Sequence, residues 1–189
     1  MTVDQMRKLL MSRLKKSRFA HSVGVANTAV DLAKRFNVDT DKAYVAGLLH
    51  DCARQFENDQ LPAEAAKRHV PIIDVEYVVP LLLHAPIGAV MVQTDYEVDD
   101  PEIVQAIARH TVADKNMSPL DMIIYFADMI EPHRDYPGVN ELRRLAQFAT
   151  LEQMFLEGLN QTVAYVVKKD SLLHPKTVDA RNFMLLNQY

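Results

Sequence analysis

The chain has 189 residues, of which 49% are apolar and 24% charged. That is enough for a sizeable core and is not the composition of a disordered chain. Only 5 glycines are present, against about 13 at a usage of roughly 7%, and no Asn-Gly or Asp-Gly pair occurs, so a many-hairpin β protein is excluded. The net charge of −4 argues against a general nucleic-acid or anionic-membrane binder; an anionic ligand would need a metal or local arginines. Cys52 is the lone cysteine, which excludes an intramolecular disulfide or a thiolate zinc site and fits a reducing cytoplasm. No apolar run approaches the ~18 residues of a membrane span. The N-terminus carries charges through any apolar stretch and does not read as a signal peptide.

The pattern is helical nearly throughout, without repeats or linker-like stretches, and predicts one all-α domain of roughly ten helices. Met6, Leu9, Leu10 and Leu14 share one face of a first helix, with Thr2 and Gln5 as its capping box. Its other face carries Arg7, Lys8, Arg13, Lys15 and Lys16, read as a solvated face rather than a partner surface. Ser17 is placed to cap a second helix to about residue 37, and Asp39 a third to about 55. Asn58 opens a short helix through 67. Helices at 75–83 and 86–96 follow. Pro101 fits the first turn of a helix ending near His110, and Ser118-Pro119 opens one through 130, stopped by Pro132. Helices at 139–148, 151–169 and 177–187 complete the chain.

Polar residues inside apolar runs carry the chemical information. His50-Asp51 ends the run AYVAGLLHD, where positions 43–49 are apolar on every side. Asp128 sits in IIYFADMI, His84 in LLLHAPIGAV, His110 at the end of IVQAIARH and His21 in FAHSVGVA. Burying an ionised carboxylate without a partner costs several kcal/mol. Two such aspartates need cations, and histidines converging with them are what a divalent metal requires. One histidine in an apolar run reads as a satisfied core residue; six residues, including an adjacent pair, favour a shared site. Gly24, Gly47 and Gly88 lie three or four residues from His21, His50 and His84, where glycine allows close helix approach. Cys52 adjoins the pair but helical spacing turns it away, a packing position. His69 suits the last turn of a short helix, and His133 and His174 fall in loops beside prolines; none reads as a metal ligand.

The ordered set His21, His50-Asp51, His84, His110, Asp128 resembles the HD-domain superfamily of metal-dependent phosphohydrolases, in its two-metal branch. RFAHSVGVA, LLHDCAR, LLHAPIGA, ARHT, MSPLDMIIYFADMIEPHRDYPGV and HPKTVDARN together resemble the YqeK family, from about residue 18 to 182. Two departures stand out: Val112-Ala113 after Thr111 where a Thr-Gly pair is common, and Met122 where a basic residue is common. The resemblance implies an HD-type helical bundle over 1–189, with a C-terminal helical extension from about 150 packing on the site. It implies symmetrical hydrolysis of diadenosine tetraphosphate to two ADP in the cytoplasm, with iron as the metal. The nitrogen and oxygen donors also suit manganese, cobalt or zinc, one or two ions per chain.

The metal set is then His21, His50, Asp51 and Asp128. His84 and His110 either hold a second ion or donate to phosphate oxygens. Asp51, His84 and His110 are the catalytic candidates. Arg18, three residues before His21, and Arg54, three after Asp51, lie at helical spacing from a ligand and suit a polyphosphate clamp, with Arg134 a third candidate. By the resemblance, Cys52 and His174 join these arginines, His21, Asp51, His84, His110 and Asp128 as substrate contacts. The partner is a small nucleotide, with no nucleic acid or membrane, for a monomer or homodimer. Three other readings use the same ligands: another HD nucleotide phosphohydrolase or phosphodiesterase, a non-catalytic nucleotide-binding regulator, and a helical scaffold with a structural metal.

Overall fold

Helix starts follow local capping chemistry. The structure is a computed structural model describing residues 1–187. Among these residues it has eleven α-helices, two short 3-10 helices and no strand, the expected all-α architecture. Thr2 and Gln5 exchange hydrogen bonds around the first turn of α1 (Val3–Arg13). α2 (Lys16–Phe36) differs from expectation: Lys15 is its N-cap, without a side-chain bond, and Ser17 lies inside the first turn. It ends at Asn37, whose φ of 54° is left-handed, a conformation asparagine tolerates. Asp39 accepts from the Asp41 and Lys42 N–H groups and opens α3 (Thr40–Leu49).

The helix expected to run on to residue 55 stops at Leu49; Cys52–Gln55 is a 3-10 helix. α4 (Leu61–Lys67) starts after Gln60 rather than Asn58, because residues 57–60 close a turn first. The helix expected over 75–83 is split into α5 (Asp74–Val78) and a 3-10 helix, Pro80–Leu83. Pro80 has no N–H to continue the ladder and disfavours a helical residue before it; Val79 has ψ of 73°. α6 (His84–Tyr96), α7 (Pro101–Arg109) and α8 (Pro119–Ile130) follow, α7 capped by Asp100 and α8 by a Ser118–Asp121 box. α9 (Val139–Leu145), α10 (Leu151–Lys168) and α11 (Pro175–Leu186) complete the chain.

α2 packs on α3 and α8, and α3 and α8 both pack on α7, which packs on α6. The α2–α3 contact is made by small residues: Ala26, Ala29, Ala43 and Ala46 have no exposed surface. A Cβ on Gly47 would lie 2.8 Å from the Ala26 Cα, so glycine sets how closely these helices approach. α8 is buried on nearly every side, Leu120 through Ala127. α10 covers α8, and α11 lies on α10. α11 is also tied to the segment after His110, where the Thr177 hydroxyl donates to the Val112 carbonyl at 2.8 Å. His174, placed in a loop by sequence, is the N-cap of α11, its Nδ1 accepting from the Lys176 N–H.

Candidate metal centre

The break after α3 builds the site. Adjacent residues of a continuous helix point some 100° apart and do not share a face. Here His50 keeps helical backbone angles while Asp51 leaves them, at φ −103° and ψ 17°. Both side chains therefore turn to one centre, where His50 Nε2 is 3.4 Å from Asp51 Oδ2. α2 brings His21, whose Nε2 is 3.7 Å from Asp51 Oδ2 and 2.9 Å from Asp128 Oδ1. α8 brings Asp128, 3.7 Å from His50 Nε2. α6 and the end of α7 bring His84 and His110, with Nε2 atoms 3.2 and 3.8 Å from Asp51 Oδ1. All six residues singled out in the sequence meet in space, and the four histidines and Asp51 are buried. Two triplets have metal-ligand spacing, His21–His50–Asp51 and Asp51–His84–His110, with Asp51 common to both.

The proton positions follow from the other ring nitrogens. His50, His84 and His110 each donate Nδ1–H to the carbonyl three residues earlier: Gly47, Leu81 and Ile107. Each Nε2 is then left as a bare lone pair. His21 Nδ1 donates instead to the Glu131 carboxylate, at 2.9 Å. With Nδ1 as the protonated nitrogen of each ring, four imidazole lone pairs converge on the Asp51 and Asp128 carboxylates. His21 Nε2 and His50 Nε2 are buried with no hydrogen-bond partner. His84 Nε2 and His110 Nε2 stand 3.0 Å apart, and the Thr111 hydroxyl, 3.1 and 3.0 Å away, can donate to only one of them. Acceptors facing acceptors require a cation between them. Spacings near 3 Å are those of neighbouring ligands on an ion with bonds of about 2.0–2.2 Å. The donor set fits a divalent metal.

Burial opposes a charge on His50, but Asp51 and Asp128 outweigh it and push the ring above the usual histidine value, so a positive charge is favoured between the carboxylates. Burial opposes the charge on Asp51, but His50 and His84 outweigh it and hold the carboxyl well below the usual range. Burial, with His50 and His84 beside it, pushes His110 down to about 3, so its ring stays neutral and its lone pair free.

Comparison with known proteins places this centre. Residues 18–132 match the HD domain family. The chain belongs to the HD domain family. All six centre residues lie within that span. A symmetrical bis(5'-nucleosyl)-tetraphosphatase of Bacillus subtilis is 36% identical over 173 residues, covering 92% of each chain. A protein of the same name from Halalkalibacterium halodurans is 34% identical over 181 residues, covering 96% of each. A crystal structure from Clostridium acetobutylicum, of a predicted HD superfamily hydrolase involved in NAD metabolism, superimposes with a TM-score of 0.94. It is 36% identical, covering 100% of this chain and 99% of that one.

Around the HD centre, the arginines sit differently from their helical spacing. Arg18 reaches Asp51, not only the His21 beside it, and donates to Oδ2 at 2.8 Å. Arg134 pairs with the Asp128 side chain and donates Nε–H to the Asp128 carbonyl at 2.7 Å. Arg54 donates to the Asn58 side chain at 3.3 Å. Arg18 lines two neighbouring hollows. One of about 230 Å³ includes His21 and Arg134; the other, of about 140 Å³, includes Lys15, Arg54 and Phe56.

Two substrate-contact candidates, Cys52 and His174, are buried. Cys52 has no exposed surface and points at the Gly88 carbonyl, 3.7 Å away; it is packing behind the centre. His174 is 4% exposed and caps α11 through Nδ1; its Nε2 lies 3.5 Å from Glu76 Oε1 without a hydrogen bond. Three residues near the centre escaped sequence reasoning: Glu131, Thr111 and Arg143. The Arg143 guanidinium ties the carbonyls of Ile130, Glu131 and Arg134 at 2.9, 2.7 and 2.8 Å. The one sequence signal for Glu131 was its place a helical turn past Asp128 beside Pro132.

Proposed function

We propose that this chain hydrolyses diadenosine tetraphosphate symmetrically to two ADP, with a divalent transition metal, iron, as cofactor. The observation that carries the reading is the convergence of four histidines on Asp51, which belongs to both triplets, with Asp128 against His21 and His50. The names of the curated relatives supply the substrate. His21, His50, Asp51 and Asp128 would hold the ion. A divalent metal bound there supplies Lewis acidity at phosphoryl oxygen and brings the pKa of water towards neutrality. Asp51, with one oxygen towards each triplet, both ligates and orients the attacking water. His84 and His110 have already given their Nδ1–H groups to carbonyls, so they serve better as ligands of a second ion than as donors to phosphate.

Arg18, Arg54 and Arg134 line the adjoining hollows and suit a polyphosphate clamp, neutralising charge that grows on the phosphoryl oxygens. The bond broken is the central P–O bond; the oxygen of one water ends on one ADP and the other ADP leaves. The whole chain acts as one unit, with α10 packed on α8 and α11 tied by the Thr177–Val112 bond to the segment after His110. We place it in the cytoplasm as a monomer or homodimer, without nucleic-acid or membrane partners. The lone buried Cys52 and the net charge of −4 support that placement.

A second reading, a hydrolase of NAD metabolism, is favoured by the name given to the Clostridium protein. One experiment separates them: chromatography of products from the metal-loaded protein given diadenosine tetraphosphate, NAD, cyclic dinucleotides and nucleoside monophosphates. ADP as the only product, from the first substrate alone, is expected. ATP plus AMP would mean an asymmetric cut. Faster turnover of NAD would favour the second reading, and tight ADP binding without turnover a regulator.

A further inference from the structure

The centre is supported unevenly. Three of its imidazoles rest on neutral backbone carbonyls, but His21 rests on a full negative charge. Glu131 is 1% exposed, and no step of the proposed hydrolysis uses it. Its Oε1 accepts from His21 Nδ1–H at 2.9 Å. Its Oε2 accepts from the His133 backbone N–H at 2.8 Å and lies 2.9 Å from the His133 Nδ1. Arg143 fastens the Glu131 carbonyl from α9. On the opposite side, a Cβ on Gly24 would overlap Glu131 Oε2, so glycine on α2 leaves the room this carboxylate needs. A buried, fully partnered carboxylate kept in place from three elements has a purpose beyond packing.

We propose that Glu131 is the positioning residue that decides how tightly a metal ion is held at the His21–His50–Asp51 triplet. The inference rests on the metal reading above. A carboxylate behind an imidazole fixes the ring and its tautomer and makes the free nitrogen a stronger donor. It also adds a negative charge on the side where Asp51 and Asp128 already face His21. The Asp51–His84–His110 triplet has only the shared aspartate and rings on carbonyls. The two triplets therefore bind unequally, and the last ion to leave the protein leaves from the His21 side.

The test uses the full chain loaded with Mn²⁺ and dialysed against graded EDTA, with the metal retained measured by mass spectrometry. The wild-type chain is expected to release its ions in two steps. Glu131→Gln, which keeps shape and removes charge, is expected to release the last ion at roughly tenfold weaker chelation, the low end of the effect of losing such a partner. Gly24→Ala keeps the charge, displaces the carboxylate, and is expected to do the same; it carries the test alone if the first variant does not fold. Far-UV circular dichroism of the fully stripped proteins checks that each variant is folded. Retention equal to wild type in a folded variant overturns the role of Glu131 and leaves the metal reading intact. A wild-type chain that retains no ion overturns the metal reading itself.

Discussion

The two halves of the centre use the same side chains to different effect. On one side His21 and His50 face Asp51 and Asp128, with Glu131 behind His21 and Arg18 and Arg134 against the carboxylates. On the other, His84 and His110 share Asp51 and a threonine hydroxyl, with only carbonyls behind them. The first half concentrates charge of both signs; the second is nearly neutral. Ligand identity alone does not set the character of a metal site. The groups behind the ligands do.

Asp51 is where the comparison breaks most completely, because both halves need it. Asp51→Ala should remove all bound metal and lower turnover at least about a thousandfold, some 4 kcal/mol of barrier, while far-UV circular dichroism stays helical. Metal analysis and kinetics of the one variant check both expectations; retained activity would sink the site. Separating the halves comes next. Asp128→Asn and His110→Ala should each leave about one ion per chain, with kcat falling roughly a hundredfold or more on the Asp128 side, where the water-activating ion is placed. If either variant strips both ions, the halves are a single cooperative site. The smallest effect belongs to the rim. Arg54→Ala loses one guanidinium contact to phosphate, about 1.5 kcal/mol, so kcat/KM for diadenosine tetraphosphate should fall about tenfold with metal content unchanged. Unaltered kinetics would remove Arg54 from the clamp.

Local chemistry made much of the fold legible. The Thr2–Gln5 box, Asp39, Asp100 before Pro101 and the Ser118 box each satisfy N–H groups within a few residues, and such contacts can be read without knowing the partner helices. The errors fall where neighbours compete: Ser17 yielded the cap of α2 to Lys15, Asn58 yielded to a turn, and Pro80 split one expected helix. The break at Asp51 was invisible for a stronger reason. Nothing in AYVAGLLHDCAR forbids the helix from continuing, yet it ends at Leu49 and Asp51 leaves helical angles.

The sequence by itself determined that the protein is helical and that six imidazoles and carboxylates set in apolar runs needed a common cation, because burying a polar group among apolar residues leaves a mark at every scale. Only the tertiary structure decided what stands behind them. Glu131 meets His21 across 110 residues and Arg18 meets Asp51 across 33; in the chain Glu131 looks like an ordinary surface charge, and Arg18 reads only as a neighbour of His21. Hydrogen bonds of that reach depend on how helices pack, and packing is a property of the whole core rather than of any stretch within it.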